Sequence, residues 1–369
     1  MITPSRMSKK VKYEIRDIVD ELRKRRKGMV AWLNIGDPTK FGFSPPKEFM
    51  EGIVEAIKEN YKGYAPSKGD EELVEAVARR ERAEADDVTI TQGLSEGISI
   101  AYDAILNPGD GIALPRPTYP LYITKAETKG AKVKFYEENE YGVNLRSFEK
   151  AVKGSKMCVV INPNNPSGKV YPQKQLKEMA RIAEENRCVI FYDGAYDRIC
   201  FGERPDFHKA GAENYIYGSS VSKNLTYPGA RVGWIVVKGP EMDGIRDAIR
   251  RISNSRLSIN WEMQKGAAKA LKVEKKHAYE FTKEIRKRAK AVGENLGKIG
   301  WTNPQGAFYT LLFVDNWKDD KKETLDFAVK HGILGVPNSG FGEKKPGMRI
   351  VLLAPEETLI KTLDLLNSK

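Results

Sequence analysis

Lys223 stands in Ser220-Val221-Ser222-Lys223, and Arg231 follows eight residues later. A lysine among hydroxyls can act as nucleophile or general base once desolvation or nearby cations bring its pKa down from about 10.4. Asp193 and Tyr196 offer a carboxylate that can face a positive charge and a phenol that can donate a hydrogen bond. Asn164 and Asn165, in Pro163-Asn164-Asn165-Pro166-Ser167-Gly168, offer side-chain amides to a ligand, although the same residue types make simple turns. Gln92-Gly93-Leu94-Ser95-Glu96-Gly97 opens a helical run. Such a turn either presents free N–H groups to an anion such as phosphate or is a plain helix cap. An aspartate in such a place is about as often an N-cap, and a loop lysine is normally just solvated.

Each of these segments follows a short β-rich run. The strand candidates are 88–91, 111–115, 132–136, 157–162, 188–193, 215–219 and 232–237. Several are apolar throughout, which predicts strands covered on both faces of a mostly parallel sheet. The clearest crossover helix is 173–186, with Leu176, Met179, Ala180 and Ala183 on one face. In an open parallel sheet, ligands bind beyond the C-terminal strand ends. An anion cradle, an amide, a carboxylate, a lysine and an arginine all fall there. After Pro240 the character changes: a lysine-rich helical region at about 262–298, then 306–314, a helix near 323–331, 348–354 and a final helix. The fold class expected is therefore α/β. A large domain with a seven-stranded sheet covered by helices (40–262) is joined by a smaller α+β domain (263–369). The N-terminal helix and the MVAWLNIG run (within 1–39) pack with the latter.

Composition narrows the classes. The 369 residues suggest two or three domains at roughly 100–200 residues each, and 40% apolar content builds a sizeable core. No apolar run approaches the ~20 residues of a membrane span, and the start lacks the apolar core of a signal peptide, so a cytoplasmic protein is expected. The net charge of +12 is spread along the chain and interleaved with acids, which suits small acidic ligands better than nucleic acid. The densest block, Arg23 to Lys27, follows the stripe Ile15, Ile18, Val19, Leu22 and reads as a solvated last helical turn. Cys158 and Cys188 sit in apolar runs and read as buried hydrophobes. Cys200 and the three histidines show no metal-ligand spacing, so no metal site is expected. There is no GxxxxGK[ST] and no well-placed GxGxxG.

The order and spacing of these segments resemble the class I/II aminotransferases, pyridoxal 5′-phosphate enzymes of fold type I. The resemblance covers nearly the whole chain: Asn34-Ile35-Gly36-Asp37-Pro38, Tyr64 to Gly69, Pro117-Thr118-Tyr119-Pro120, Asn164 to Gly168, Asp193-Gly194-Ala195-Tyr196, the lysine segment, Gly306-Ala307-Phe308-Tyr309, and Ser339-Gly340-Phe341-Gly342 with Arg349. The alanine/aspartate branch looks nearest. By this resemblance Lys223 forms the Schiff base and then moves the substrate proton. Asp193 faces the pyridine nitrogen, Asn165 and Tyr196 donate to the ring oxygen, and Tyr119 stacks on the ring. Gly93, Leu94, Ser95, Ser220, Ser222 and Arg231 surround the phosphate, with Tyr64 arriving from a neighbouring subunit. Arg349 grips the substrate carboxylate while Gly36 and Asn165 complete that subsite. Arg256 lies in a segment where relatives place side-chain-binding groups.

The implied activity is a ping-pong transfer of the amino group of alanine or aspartate to 2-oxoglutarate by a cytoplasmic homodimer with shared sites. The nearest enzymatic alternative is a C–S β-lyase of the same fold. A nucleic-acid-binding regulator would need a further domain for which the matched segments leave no room.

Overall fold

The computed structural model describes residues 3–5, 7–11, 14–26, 28 and 31–368. Lys27 of the basic block and Met29 and Val30 of the MVAWLNIG run lie outside the described residues. All seven expected runs are strands: Val88–Thr91, Gly111–Arg116, Lys132–Asn139, Met157–Ile161, Val189–Asp193, Tyr215–Ser220 and Gly233–Lys238. A two-residue strand, Gly142–Val143, adds an eighth member at one edge. In space they run Val88–Thr91, Gly233–Lys238, Tyr215–Ser220, Val189–Asp193, Met157–Ile161, Gly111–Arg116, Lys132–Asn139, Gly142–Val143.

The five strands from Tyr215–Ser220 to Lys132–Asn139 are parallel, whereas Gly233–Lys238 is antiparallel to both neighbours. The link from Tyr215–Ser220, residues 221–232, holds only a one-turn helix, Val221–Asn224, and a short 3-10 turn, whereas a parallel return usually crosses the sheet face in a full helix. The apolar pattern carries no sign of strand direction, so the sequence was silent on this point.

Residues alternate between two cores. Met157, Val159 and Ile161 join one face, with Ile112, Phe191 and Ile216. Cys158 and Val160 join the other, with Ile190, Tyr217 and Trp234. Both faces are dry because helices cover both, which is why the runs are apolar throughout. The helix Gln173–Glu185 buries Leu176, Met179, Ala180, Ile182 and Ala183 as its periodicity predicts.

The helical region expected at about 262–298 is two helices, Trp261–Leu271 and Glu274–Glu294, preceded by Asp243–Arg256. Trp261–Leu271 packs on Lys47–Glu59 and Glu71–Glu81, two helices absent from the sequence expectation. A second sheet orders Gly300–Trp301, Tyr309–Phe313, Gly347–Val351 and Val336–Pro337. The helix Glu14–Arg25 buries Ile18, Val19 and Leu22 against Leu325, Ala328 and Leu334. Ala31–Trp32 pairs in parallel with Ile333–Leu334, so the two ends of the chain are tied. Among the described residues no helix is long and apolar enough to cross a membrane.

Candidate active site

The chain switches direction between Gly111–Arg116 and Met157–Ile161, the place where an open sheet leaves a crevice beyond its strand ends. A cavity of about 480 Å³ opens there. Its floor comes from strand ends: Tyr119, Asn165, Asp193 with Tyr196, and Ser220, Ser222 and Lys223. Gly36 closes it from the N-terminal segment, and Arg349 with Tyr309 from the second sheet.

Lys223 sits in the short helix Val221–Asn224, whose N-cap is Ser220. Its Nζ donates to the Gly36 carbonyl at 2.6 Å. Burial brings its pKa down to about 8; Arg349 and Arg231 push the same way and Asp37 opposes them. This is the activation that a reactive lysine requires. Gly36 has no room for a side chain, since a Cβ there would fall on the Tyr309 hydroxyl.

Asp193 ends the strand Val189–Asp193. Its carboxylate accepts from the Tyr122 hydroxyl at 2.7 Å and from the Ala195 N–H at 2.9 Å. Burial nevertheless raises its pKa to about 6, so an ionised Asp193 lacks a full countercharge. The Tyr196 hydroxyl lies 3.1 Å from that of Tyr309. Asn165 is buried, and its Oδ1 has no hydrogen-bond partner.

Leu94 and Ser95 are the first residues of the helix Leu94–Ile105 and line the cavity with Ser220, Ser222 and Arg231. Gly93, the N-cap at φ 67°, lies behind them. A Cβ on Gly93 would strike the Arg231 guanidinium. Arg231 is itself left-handed at φ 51° and donates to the carbonyls of Pro228 and Gln92 at 3.0 and 3.3 Å. Arg349 is almost fully buried, donates to the Asn34 carbonyl, and lies 4.6 Å from the Tyr309 ring and 5.0 Å from that of Phe341.

The cavity thus gathers every expected site residue except Gly93, directly behind it, and Tyr64. Tyr64 is 78% exposed, away from the cavity of its own chain. Arg256 is also elsewhere, paired with Glu96 at 3.5 Å and donating to the carbonyls of Ser67 and Ile90. Three residues at or against the cavity were not singled out from the sequence. Tyr122 is three residues after Tyr119, the N-cap of the helix Pro120–Lys129, and the two ring centroids lie 6.4 Å apart. Arg16 lines the cavity from the N-terminal helix beside Ile15, and nothing in its neighbours marks it among exposed basic residues. Asp37, within the Asn34 to Pro38 motif, lines the cavity and its charge acts on Lys223.

The donor set fits pyridoxal 5′-phosphate. A helix N-terminus, hydroxyls and an arginine make a phosphate cradle. An activated lysine suits an aldehyde. A buried carboxylate short of countercharge suits a protonated ring nitrogen, and the buried Asn165 amide at the cavity wall has an Nδ2 that can donate to a ring oxygen.

Residues 29–364 match the family described as aminotransferase class I and II. The glutamate-pyruvate aminotransferase AlaA of Haemophilus influenzae is 30% identical over 92% of this chain and 91% of its own. A probable aspartate aminotransferase of Methanocaldococcus jannaschii is 27% identical over 84% and 85%. Among solved structures, an alanine aminotransferase from Pyrococcus furiosus superposes over the full length of both chains with TM-score 0.92 at 33% identity. A Thermus thermophilus aspartate aminotransferase with maleate shares the fold at TM-score 0.91 and 24% identity. The chain belongs to the class I and II aminotransferases, enzymes that work with pyridoxal 5′-phosphate.

Proposed function

We propose that the enzyme moves the amino group of a small or acidic L-amino acid, alanine or aspartate, to 2-oxoglutarate in two half-reactions sharing one cavity. The observation that carries this reading is that, besides Arg231 at the phosphate end, the cavity is lined by two guanidinium groups of unlike surroundings, Arg349 almost fully buried and Arg16 exposed. A buried, planar fork suits the carboxylate common to every substrate. An exposed arginine can meet the distal carboxylate of glutamate, 2-oxoglutarate or aspartate, and stay in water when alanine or pyruvate is bound. The names of the relatives, glutamate-pyruvate and alanine aminotransferase, support the same substrates.

When bound, the cofactor supplies an aldehyde carbon and an electron-withdrawing ring. The residues do the rest. Leu94 and Ser95 N–H groups, Ser220 and Ser222 hydroxyls and Arg231 hold the phosphate. Tyr119 covers the ring, and Asn165 and Tyr196 donate to its oxygen. Asp193, steadied by Tyr122, keeps negative charge at the ring nitrogen. Lys223 Nζ holds the cofactor at rest and, once freed, takes the proton from the substrate α-carbon and returns it at the other end of the transfer. Arg349 fixes the substrate carboxylate beneath Gly36.

The same reading divides the chain at 39/40 and 262/263. Asp193 and Lys223 then belong to one body, and Gly36 and Arg349 to the chain ends that close over it. A second copy belongs to the reading too. Met50, Val54, Ile57 and Tyr61 leave one face of the helix Lys47–Glu59 and its exit exposed, next to exposed Tyr64. Three cysteines without disulfides, two of them buried, suit the reducing cytosol.

The test is half-reaction spectroscopy of the yellow cofactor-loaded protein with a panel of amino acids and oxo acids. Arg16→Gln should raise KM for 2-oxoglutarate about tenfold while leaving that for pyruvate within about twofold. Equal effects on both would refute the assignment of Arg16. Release of pyruvate and thiol from cystathionine without an oxo acid would favour the lyase instead.

A further inference from the structure

Behind the turns that carry Lys223 and Tyr196 lies a buried lattice of ions that the chemistry above does not use. Arg80 Nη2 reaches Asp197 Oδ1 at 2.9 Å, its Nε reaches Glu274 at 2.8 Å, and it pairs with Glu81 as well. Asp197 Oδ2 accepts from Arg204 at 3.0 Å and from the Tyr217 hydroxyl at 3.1 Å, and Arg198 reaches Glu274 at 3.2 Å. The side chains of Arg80, Glu81, Asp197 and Glu274 are all 5% exposed or less. Replacing a buried ion cluster with apolar side chains is often neutral or stabilising, so stability alone is a poor reason for such a lattice.

One bond leaves the lattice toward the cavity. Asn224 Nδ2 donates to Asp197 Oδ1 at 2.6 Å, and Asn224 Oδ1 accepts from the Arg198 backbone N–H at 3.4 Å. Asn224 is fully buried. It follows Lys223 in the chain, and Asp197 follows Tyr196. The two contacts therefore fasten the turn after Val189–Asp193 to the helix that carries the lysine. We propose that Asn224, held by the Asp197 carboxylate, is a positioning residue that fixes the register of Lys223 against Tyr196. The proposal rests on the roles given to those two residues above. The anchor is firm on both sides: Arg80 and Arg204 hold opposite oxygens, and the Asp197 N–H donates to the Gly194 carbonyl at 3.1 Å. Burial alone would favour its protonated form, but Arg80, Arg198 and Arg204 hold Asp197 well below the usual carboxylate range, so the bond from Asn224 stays charge-assisted.

The experiment compares wild type, Asn224→Ala, Asn224→Leu and Glu81→Gln, each stripped of cofactor and reloaded. Glu81 pairs with Arg80, His208 and Trp234, and its bonds do not include Asn224. Glu81→Gln therefore weakens the lattice without cutting the tie. The readouts are the rate at which pyridoxal 5′-phosphate attaches to the stripped protein and the pH midpoint of the bound cofactor's visible absorption. Asn224→Ala is expected to slow attachment about tenfold and to move the midpoint by about half a pH unit or more. Glu81→Gln should lower the melting temperature and move neither readout. If Asn224→Ala leaves both at wild-type values, or Glu81→Gln moves them equally, the positioning role is overturned. Should Asn224→Ala not fold, Asn224→Leu decides in the same way, having similar volume and no amide. A wild-type protein without any cofactor band would sink the reading of Lys223 itself, which is a separate failure.

Discussion

Asp193→Asn, a change of almost no volume, should push this protein in opposite directions with and without its cofactor. In the cofactor-free chain burial raises the Asp193 pKa from the ordinary 3.8 to about 6, against the hydrogen bonds from Tyr122 and Ala195. The native state then binds the proton more tightly than the unfolded chain. Stability is lost as pH rises through the window between those two values, and above it the full penalty is in place. A shift of this size corresponds to about 3 kcal/mol at pH 8 and roughly half of that at pH 5. Asparagine carries no charge, and the Tyr122 hydroxyl can turn to accept from its amide. Stripped Asp193→Asn protein should therefore be more stable than stripped wild type, by up to about 3 kcal/mol at pH 8 and by less at pH 5. With pyridoxal 5′-phosphate present the sign should reverse, because the carboxylate is kept for the ring nitrogen's positive charge. The variant should hold the cofactor at least about tenfold more weakly. Thermal unfolding of both stripped proteins at the two pH values, together with a cofactor titration, measures each side. A stripped variant less stable than wild type at pH 8 would show Asp193 to be an ordinary stabilising carboxylate and would refute the step from its burial to its role.

Lys223→Ala should abolish covalent attachment. After borohydride treatment in the presence of cofactor, mass spectrometry should find the chain unmodified at this site, with transamination down by about a thousandfold or more. Arg349→Lys should raise KM for both the amino acid and the oxo acid by about tenfold, since an ammonium replaces two parallel hydrogen bonds with a point charge; steady-state kinetics decide. Gly93→Ala puts a Cβ against the Arg231 guanidinium at a backbone φ of 67°. It should speed cofactor release, read by dialysis or dilution, with little change in the chemistry of whatever remains bound.

The large sheet was legible because its strands are dry on both faces, so Met157–Ile161 and Gly233–Lys238 read as apolar runs without any partner in view. Strand direction was not, because it depends on how little of the link through Val221–Asn224 is helical. The cavity's lining could be read where each residue sits in a local segment: Lys223 after Ser222, Asp193 before Tyr196, Asn165 after Asn164. It could not be read where the contact is made only by tertiary packing. Tyr122 meets Asp193 across 71 positions, and Arg80 meets Asp197 across 117. Arg80 lies in a helix that gave no expectation, among basic neighbours such as Arg79 that stay in water. Arg16 was hidden for the same reason: exposed arginines look alike until the cavity is drawn around one of them.

The tie between Ala31–Trp32 and Ile333–Leu334, with Arg349 bonded to the Asn34 carbonyl and the Val351 N–H to that of Leu33, has a consequence for how the enzyme matures. On the proposed roles, synthesis delivers Lys223 and Asp193 long before Arg349, and the opening segment has to wait for the last strand before it can close the cavity. A ribosome product halted between residues 240 and 340 would carry the lysine without the arginine that grips the carboxylate every substrate shares. Coenzyme capture and substrate holding would then be separate events in the birth of the molecule, joined only when head and tail meet.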